Sequence, residues 1–113
     1  MPDDSTVTAI IVNWNSGNLL YECLNKLAQQ ATLPVRVLVV DNASSDNSAT
    51  SAEAFANVTV RRMNTNLGFA GGNNAALAEC DTEFVALLNP DAFPEPDWLE
   101  RLLAAAGAYC NRT

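Results

Sequence analysis

At 113 residues the chain has room for one domain with a single core, and with 49% apolar residues it has the material to build one. Thirteen acidic residues stand against six basic ones, with no histidine, for a formal net charge of −7. That balance argues against binding nucleic acid or an anionic membrane, both of which call for basic patches.

An anionic ligand would need a divalent cation or helix N-termini here, because Lys26 is the only lysine and no basic cluster exists. Cys23, Cys80 and Cys110 are odd in number and far apart, which matches neither a disulfide framework nor a zinc-ligand spacing. Reduced, buried thiols in a cytoplasmic protein are the expectation. The acidic start Met1–Thr6 leads into an apolar run too short for a signal sequence or a membrane span, so a soluble chain is expected.

In chain order, Val7–Val12 is β-branched and apolar and breaks into the turn formers Asn13-Trp14-Asn15-Ser16-Gly17-Asn18, a first strand and its exit loop. From about Asn18 to Gln30, Leu19, Leu20, Cys23, Leu24, Leu27 and Ala28 recur at helical spacing, which predicts an amphipathic helix. Val35–Val40 reads as a buried strand ending in Asp41-Asn42. Ser44-Ser45-Asp46 then offers N-caps to a small-residue helix through about Ala56, with a narrow apolar stripe that suits light packing on the sheet. Val58–Arg62 alternates apolar with polar residues and is placed at the sheet edge.

Asn64–Asn74 holds Gly68, Gly71, Gly72 and four asparagines, and opens a helix from about Phe69 or Gly71 to Glu79. Phe84–Leu88 has no polar face, which suits a strand in the middle of a covered parallel sheet; Pro90 stops it, so that Asp91 projects from a rigid turn. Pro94-Glu95-Pro96-Asp97 starts a last helix, with Trp98, Leu99, Leu102, Leu103 and Ala106 as its core face. Alternating strands and helices predict a parallel sheet with right-handed crossovers. Strands one and two are apolar throughout and strand three alternates, which gives the order 3-2-1-4.

Three strands thus end in Asn13, Asp41 and the Asn89/Asp91 pair, at the carboxyl edge where open α/β sheets bind ligands. Alone, Asp41-Asn42 reads as a strand cap, Asp91 as a turn aspartate, and the glycine run as an ordinary loop. The ordered set Ile11–Asn15, Val39–Asp46, Asn66–Asn74, Leu88–Asp91 and Pro96–Leu99 resembles the N-terminal half of a family 2 glycosyltransferase of the GT-A fold, rhamnosyltransferase-like.

The resemblance implies a three-layer, Rossmann-like α/β half domain over residues 1–113, with helices on both faces. It also implies a nucleotide-sugar donor, UDP- or dTDP-linked, with Asp41 accepting a hydrogen bond from the base. Asp91 matches the last position of the family's Asp-x-Asp motif, which holds Mg²⁺ or Mn²⁺ against the diphosphate. Asn89 departs from the acidic first position, so it adds a hydrogen bond to ribose or metal-bound water but no charge. Gly68 belongs to a turn that lets backbone approach the ligand, and Asn13, Asn42 and Asn74 complete the expected nucleotide contacts, whereas Asn73 stands where many relatives carry arginine. Trp14 and Trp98 are expected to pack rather than to face sugar.

The family's catalytic base and its contacts to a saccharide or glycolipid acceptor come from a C-terminal half. Glu95, Asp97 and Glu100 are explained by the helix dipole, so no catalytic residue is assigned and a catalytically incomplete donor-binding half is expected. A non-catalytic nucleotide-binding or assembly module, self-associating through the face that half would cover, is the alternative. A phospho-accepting signalling domain would need acids where Asn13 stands, and a nucleotidyltransferase would need a basic glycine-rich loop after strand one.

Overall fold

The computed structural model describes residues 7–30 and 36–110. Val35, expected to open the second strand, lies outside the described residues, as do the acidic start and the burial of Ala106 and Cys110. The elements alternate in chain order: β1 (Val7–Asn13), α1 (Leu19–Ala28), β2 (Arg36–Asp41), a 3-10 helix (Ser48–Ala54), β3 (Val58–Arg62), α2 (Gly68–Leu77), β4 (Phe84–Leu88) and α3 (Trp98–Cys110). All strand pairings are parallel and the sheet order is β3-β2-β1-β4, as the strand patterns imply.

Side chains alternate across β1 and β2, and each set finds a helical cover. Ala9, Ile11, Val37 and Val39 pack with Leu20, Cys23, Leu24 and Leu27 of α1 and with Ala52 of the 3-10 helix. Ile10, Leu38 and Val40 pack on the other face with Ala76 of α2. A smaller cluster joins Val7 and Ala86 to Leu99 of α3, with Trp98 and Leu103 against it. The result is three layers, helix on sheet on helix.

Four expectations are corrected. The residues after Asp46 form a 3-10 helix rather than an α-helix, and its N-cap is Asn47 without a side-chain bond. A run of Ser, Thr and Ala offers too narrow an apolar stripe to anchor a longer helix. β4, apolar along its length, takes the edge place that the order 3-2-1-4 gives it but is not covered on both faces as its apolar run suggested, since Leu87 is 50% exposed. Leu102 of α3 is exposed too, because α3 is anchored through Leu99 and the flanking Trp98 and Leu103. Trp98 packs as expected, while Trp14, which follows the last residue of β1, is exposed.

α3 begins at Trp98, after both prolines, and its start is tied down by a residue that periodicity does not single out. Gln30, buried just past α1, accepts from the Leu99 N–H at 2.9 Å and donates to the Glu95 carbonyl at 2.7 Å. It satisfies a helix-start N–H that would otherwise lack a partner.

Candidate functional site

The polar residues meet at the carboxyl edge because register puts them there. β1 pairs with β2 through Asn13↔Asp41, but with β4 only as far as Ile11↔Leu88. Beyond that rung β1 and β4 part, and the chain of β4 turns off through Asn89, Pro90 and Asp91.

Asn13 is fully buried, with both ends of its side-chain amide hydrogen-bonded inside the protein. Its amide nitrogen donates to Asp41 Oδ1 and to Ser48 Oγ, both at 2.9 Å, and more weakly to Ser44 Oγ at 3.4 Å; its carbonyl oxygen accepts from the Ser16 hydroxyl. Asp41 is 4% exposed. Its Oδ1 accepts from the Ser44 hydroxyl at 2.6 Å as well as from Asn13, while Oδ2 receives only the Ser44 N–H at 3.4 Å.

The Asn15 and Ala43 backbones take positive φ, +48° and +61°, on the two loops that enclose this pair. Asn tolerates that conformation and Ala does not, so strain is concentrated one residue after Asp41-Asn42. Asn15 Oδ1 accepts from the Ser45 and Asp46 N–H groups at 2.8 and 3.2 Å, lacing one loop to the other. Asp46 in turn accepts from the Ser48 hydroxyl at 2.6 Å and the Gly17 N–H at 3.0 Å. The Ser48 hydroxyl foremost, with the Ser48 and Gly17 amides, holds the Asp46 carboxyl below its usual range.

Asn42, 2% exposed, bonds to backbone of another loop. Its amide donates to the Gly68 carbonyl at 3.0 Å and accepts from the Leu67 N–H at 3.3 Å, so it clamps the turn that opens α2. Gly68 makes that turn with φ +77°. Gly72 lies so close that a Cβ there would stand 2.8 Å from Val12 Cγ1 and 3.1 Å from Asn42 Nδ2. The glycine-rich segment is therefore docked on the sheet, with Gly72 required for the contact.

The structure thus links Asn13, Asp41, Asn42 and Gly68 by hydrogen bonds and sets Asn89 and Asp91 across β1 from Asp41. Asn13 and Asn42, expected as ligand contacts, spend their side chains inside the protein. Asn89 and Asp91 are exposed, and so is Asn74, within α2; Asn73 is buried and donates to the Phe69 carbonyl at 3.0 Å. Asn15, read from the sequence as a turn former, Ser44, read as an N-cap, and Ser48, not singled out, are further members of the network, and the density of Ser and Asn after two strand ends was their signal. An apolar cavity of about 250 Å³, lined by Leu24, Leu27, Val37, Phe55 and Val58, lies at the opposite, amino-terminal ends of β2 and β3. Asn57 is the one polar residue in its lining, and the cavity is a packing feature.

The profile described as Glycosyl transferase family 2 matches residues 8–111. Among curated relatives, the pre-mycofactocin glycosyltransferase of Mycobacterium tuberculosis is 33% identical over 118 residues, covering 99% of this chain and 23% of that protein. The putative glycosyltransferase EpsH of Bacillus subtilis is 27% identical, covering 89% of this chain and 30% of its own length. Among solved structures, S. aureus TarS in complex with UDP-GlcNAc superposes with a TM-score of 0.79 at 29% identity, over 88% of this chain and 30% of that one. A Pyrobaculum calidifontis mannosyltransferase in complex with GDP-Man and Mn²⁺ gives 0.78 at 29% identity, over 86% of this chain and 31% of that one. The chain spans less than a third of the length of each of these proteins.

Proposed function

The chain belongs to glycosyl transferase family 2 and has the GT-A fold, and on that premise we propose that it forms the donor-binding part of an inverting glycosyltransferase. The donor is a UDP- or dTDP-linked sugar held at the carboxyl edge of the sheet. The observation that carries this reading is the buried Asp41 carboxylate, fixed by Asn13 and Ser44 at one oxygen and left with acceptor capacity at the other. A carboxylate so held suits the N3–H of a pyrimidine base. Gly68 and the start of α2, clamped by Asn42, bring backbone close to the diphosphate, with Asn74 on the same helix and Asn89 beside the ribose. Asn13 and Asn42 act from beneath the ligand.

A divalent cation fits this edge in a limited way. Among the described residues no three His, Cys, Asp or Glu side chains cluster as metal ligands. Mg²⁺ and Mn²⁺ sites on diphosphates need only one or two carboxylates, the phosphates supplying the rest, and exposed Asp91 is the residue that would hold the ion. When bound, the ion neutralises charge on the diphosphate and the leaving group. The mannosyltransferase with GDP-Man and Mn²⁺ supports this reading.

No base is assigned. Asp97 lies 3.8 Å from Arg101 and Glu100 occupies the first turn of α3. We place the base and the saccharide or glycolipid acceptor contacts outside these 113 residues, in keeping with the share of the relatives that the chain spans. General-base assistance is worth roughly 10²–10⁴-fold, so the chain alone binds donor without turning it over.

A second reading, self-association along the β4 edge, is favoured by exposed Leu87 on the α2 side of that strand, and sedimentation of the purified chain tests it. The Cys23 and Cys80 thiols, free among the described residues, support a cytoplasmic reading; no helix among the described residues is long and apolar enough to cross a membrane.

The donor reading predicts that Asp41→Ala weakens UDP or dTDP binding by about 1–3 kcal/mol, the cost of losing a charge-assisted hydrogen bond. Calorimetry giving equal affinities for wild type and variant would contradict it, and sustained sugar transfer by the isolated chain would contradict the absence of a base.

A further inference from the structure

We infer that Asn13 and Ser44 are positioning residues that make Asp41 a one-oxygen acceptor and so select uracil or thymine against guanine; this rests on the donor-binding reading above. The Asp41 carboxylate is asymmetric in a way its position at a strand end does not require. Oδ1 takes two donors, the Asn13 amide at 2.9 Å and the Ser44 hydroxyl at 2.6 Å, which fills its in-plane lone pairs. Oδ2 takes one contact, the Ser44 N–H at 3.4 Å, at the far end of hydrogen-bond range.

The donors on Oδ1 are themselves held. Asn13 is fully buried, its nitrogen shared with Ser48 and its carbonyl oxygen accepting from Ser16, and the Ser44 hydroxyl also accepts from the Asn15 N–H at 2.9 Å. The carboxylate therefore does not rotate to exchange its oxygens without breaking several bonds in a closed site.

A single free acceptor matches the single N3–H that uracil and thymine present between two carbonyls. Guanine presents N1–H beside its N2 amine, a donor pair that suits a carboxylate through both oxygens. With Oδ1 saturated, one guanine donor is left without a partner as the base is desolvated, and an unpaired buried donor is what rejects a ligand most strongly. Similar folds hold UDP-GlcNAc in one protein and GDP-Man in another, so the backbone architecture alone does not choose the base.

The test is the ratio of UDP to GDP affinity, measured by calorimetry in saturating Mg²⁺ for wild type, Ser44→Ala, Asn13→Ala and Asp41→Ala. Wild type is expected to prefer UDP by roughly tenfold or more. Ser44→Ala, at a half-buried loop position, returns a lone pair to Oδ1 and is expected to bring the ratio toward one; Asn13→Ala, where it folds, does the same. Both ligands share ribose and diphosphate, so a purely structural defect weakens both and leaves the ratio alone. A wild type without preference, or a ratio unmoved in folded Ser44→Ala, overturns the inference. If Asp41→Ala leaves UDP affinity intact, the base-binding reading itself has failed; if UDP affinity falls there while Ser44→Ala keeps the wild-type ratio, only the positioning role has failed.

Discussion

Cys23 of α1 lies against the turn that carries the proposed metal ligand, its sulfur 3.7 Å from the Asn89 carbonyl oxygen. Burial foremost, and then the nearby Asp91 carboxylate, push the thiol from 9.0 up to about 12. In the unfolded chain the thiol ionises near its ordinary value, and in the folded protein it keeps its proton until about 12. The associated stability is complete below pH 9 and is lost as pH rises toward 12, because there the unfolded state has released a proton that the native state still holds. Urea midpoints measured at pH 7.5 and 10.5 are expected to fall further for wild type than for Cys23→Ala, and equal pH dependence in the two would contradict the burial. At this scale the sequence disclosed residue types at strand ends but not which way they turn. Asn13, Asp41 and Asn42 all read as ligand candidates, yet the Asn13↔Asp41 register turns the Asn13 amide onto the carboxylate, Asn42 bonds the backbone of a distant turn, and Asp41 keeps a carboxylate oxygen with one long contact. Such pairings are decided by tertiary structure and leave no local pattern.

The elements that period and punctuation identify well are α1, β1, β2 and β3, where an apolar stripe or a β-branched run is bounded by turn formers. The segment after Asp46 was legible as helical but not as 3-10, since short Ser and Ala runs carry no stripe wide enough to distinguish them. β4 was legible as a strand and as the edge of the 3-2-1-4 order but not as half-exposed: an apolar run reports that both faces tolerate burial, and what covers them is decided by neighbouring elements. α2 shows most clearly how an element serves the site, because its glycine at position 72 is required by proximity rather than by flexibility. Val12, β-branched and stiff at χ1, would stand 2.8 Å from a Cβ at position 72, so neither side yields easily. Gly72→Ala is expected to destabilise the protein by about 1–3 kcal/mol through overpacking, outweighing the roughly 1 kcal/mol by which Ala favours a helix over Gly. Denaturant unfolding measures it, and a variant as stable as wild type would show that α2 is not docked through this contact.

Across the whole molecule, a four-stranded parallel sheet with α1, the 3-10 helix and α3 on one face and α2 on the other gathers its strand-end side chains along one edge. The two flanks of the sheet differ. β3 ends in Arg61 and Arg62, paired with Glu79 and Glu53 at 2.9 and 2.8 Å, exposed contacts of little energetic weight that still mark a solvated edge. β4 has no charged residue, and its exposed Leu87 leaves that side apolar. Fold order and the location of the site were legible because parallel topology forces polar strand ends together; the partner of the β4 side was not, because an apolar edge does not name what covers it. The net charge of −7 bears on the central claim, since a diphosphate approaching this surface is repelled unless a cation accompanies it. The most direct measurement is a calorimetric titration of UDP into wild type and Asp91→Asn, each with Mn²⁺ and with chelator. The account predicts that wild type binds UDP at least tenfold more tightly with Mn²⁺ than with chelator, and that Asp91→Asn loses most of that difference. UDP binding that is the same with and without the metal, and unchanged in Asp91→Asn, would contradict it.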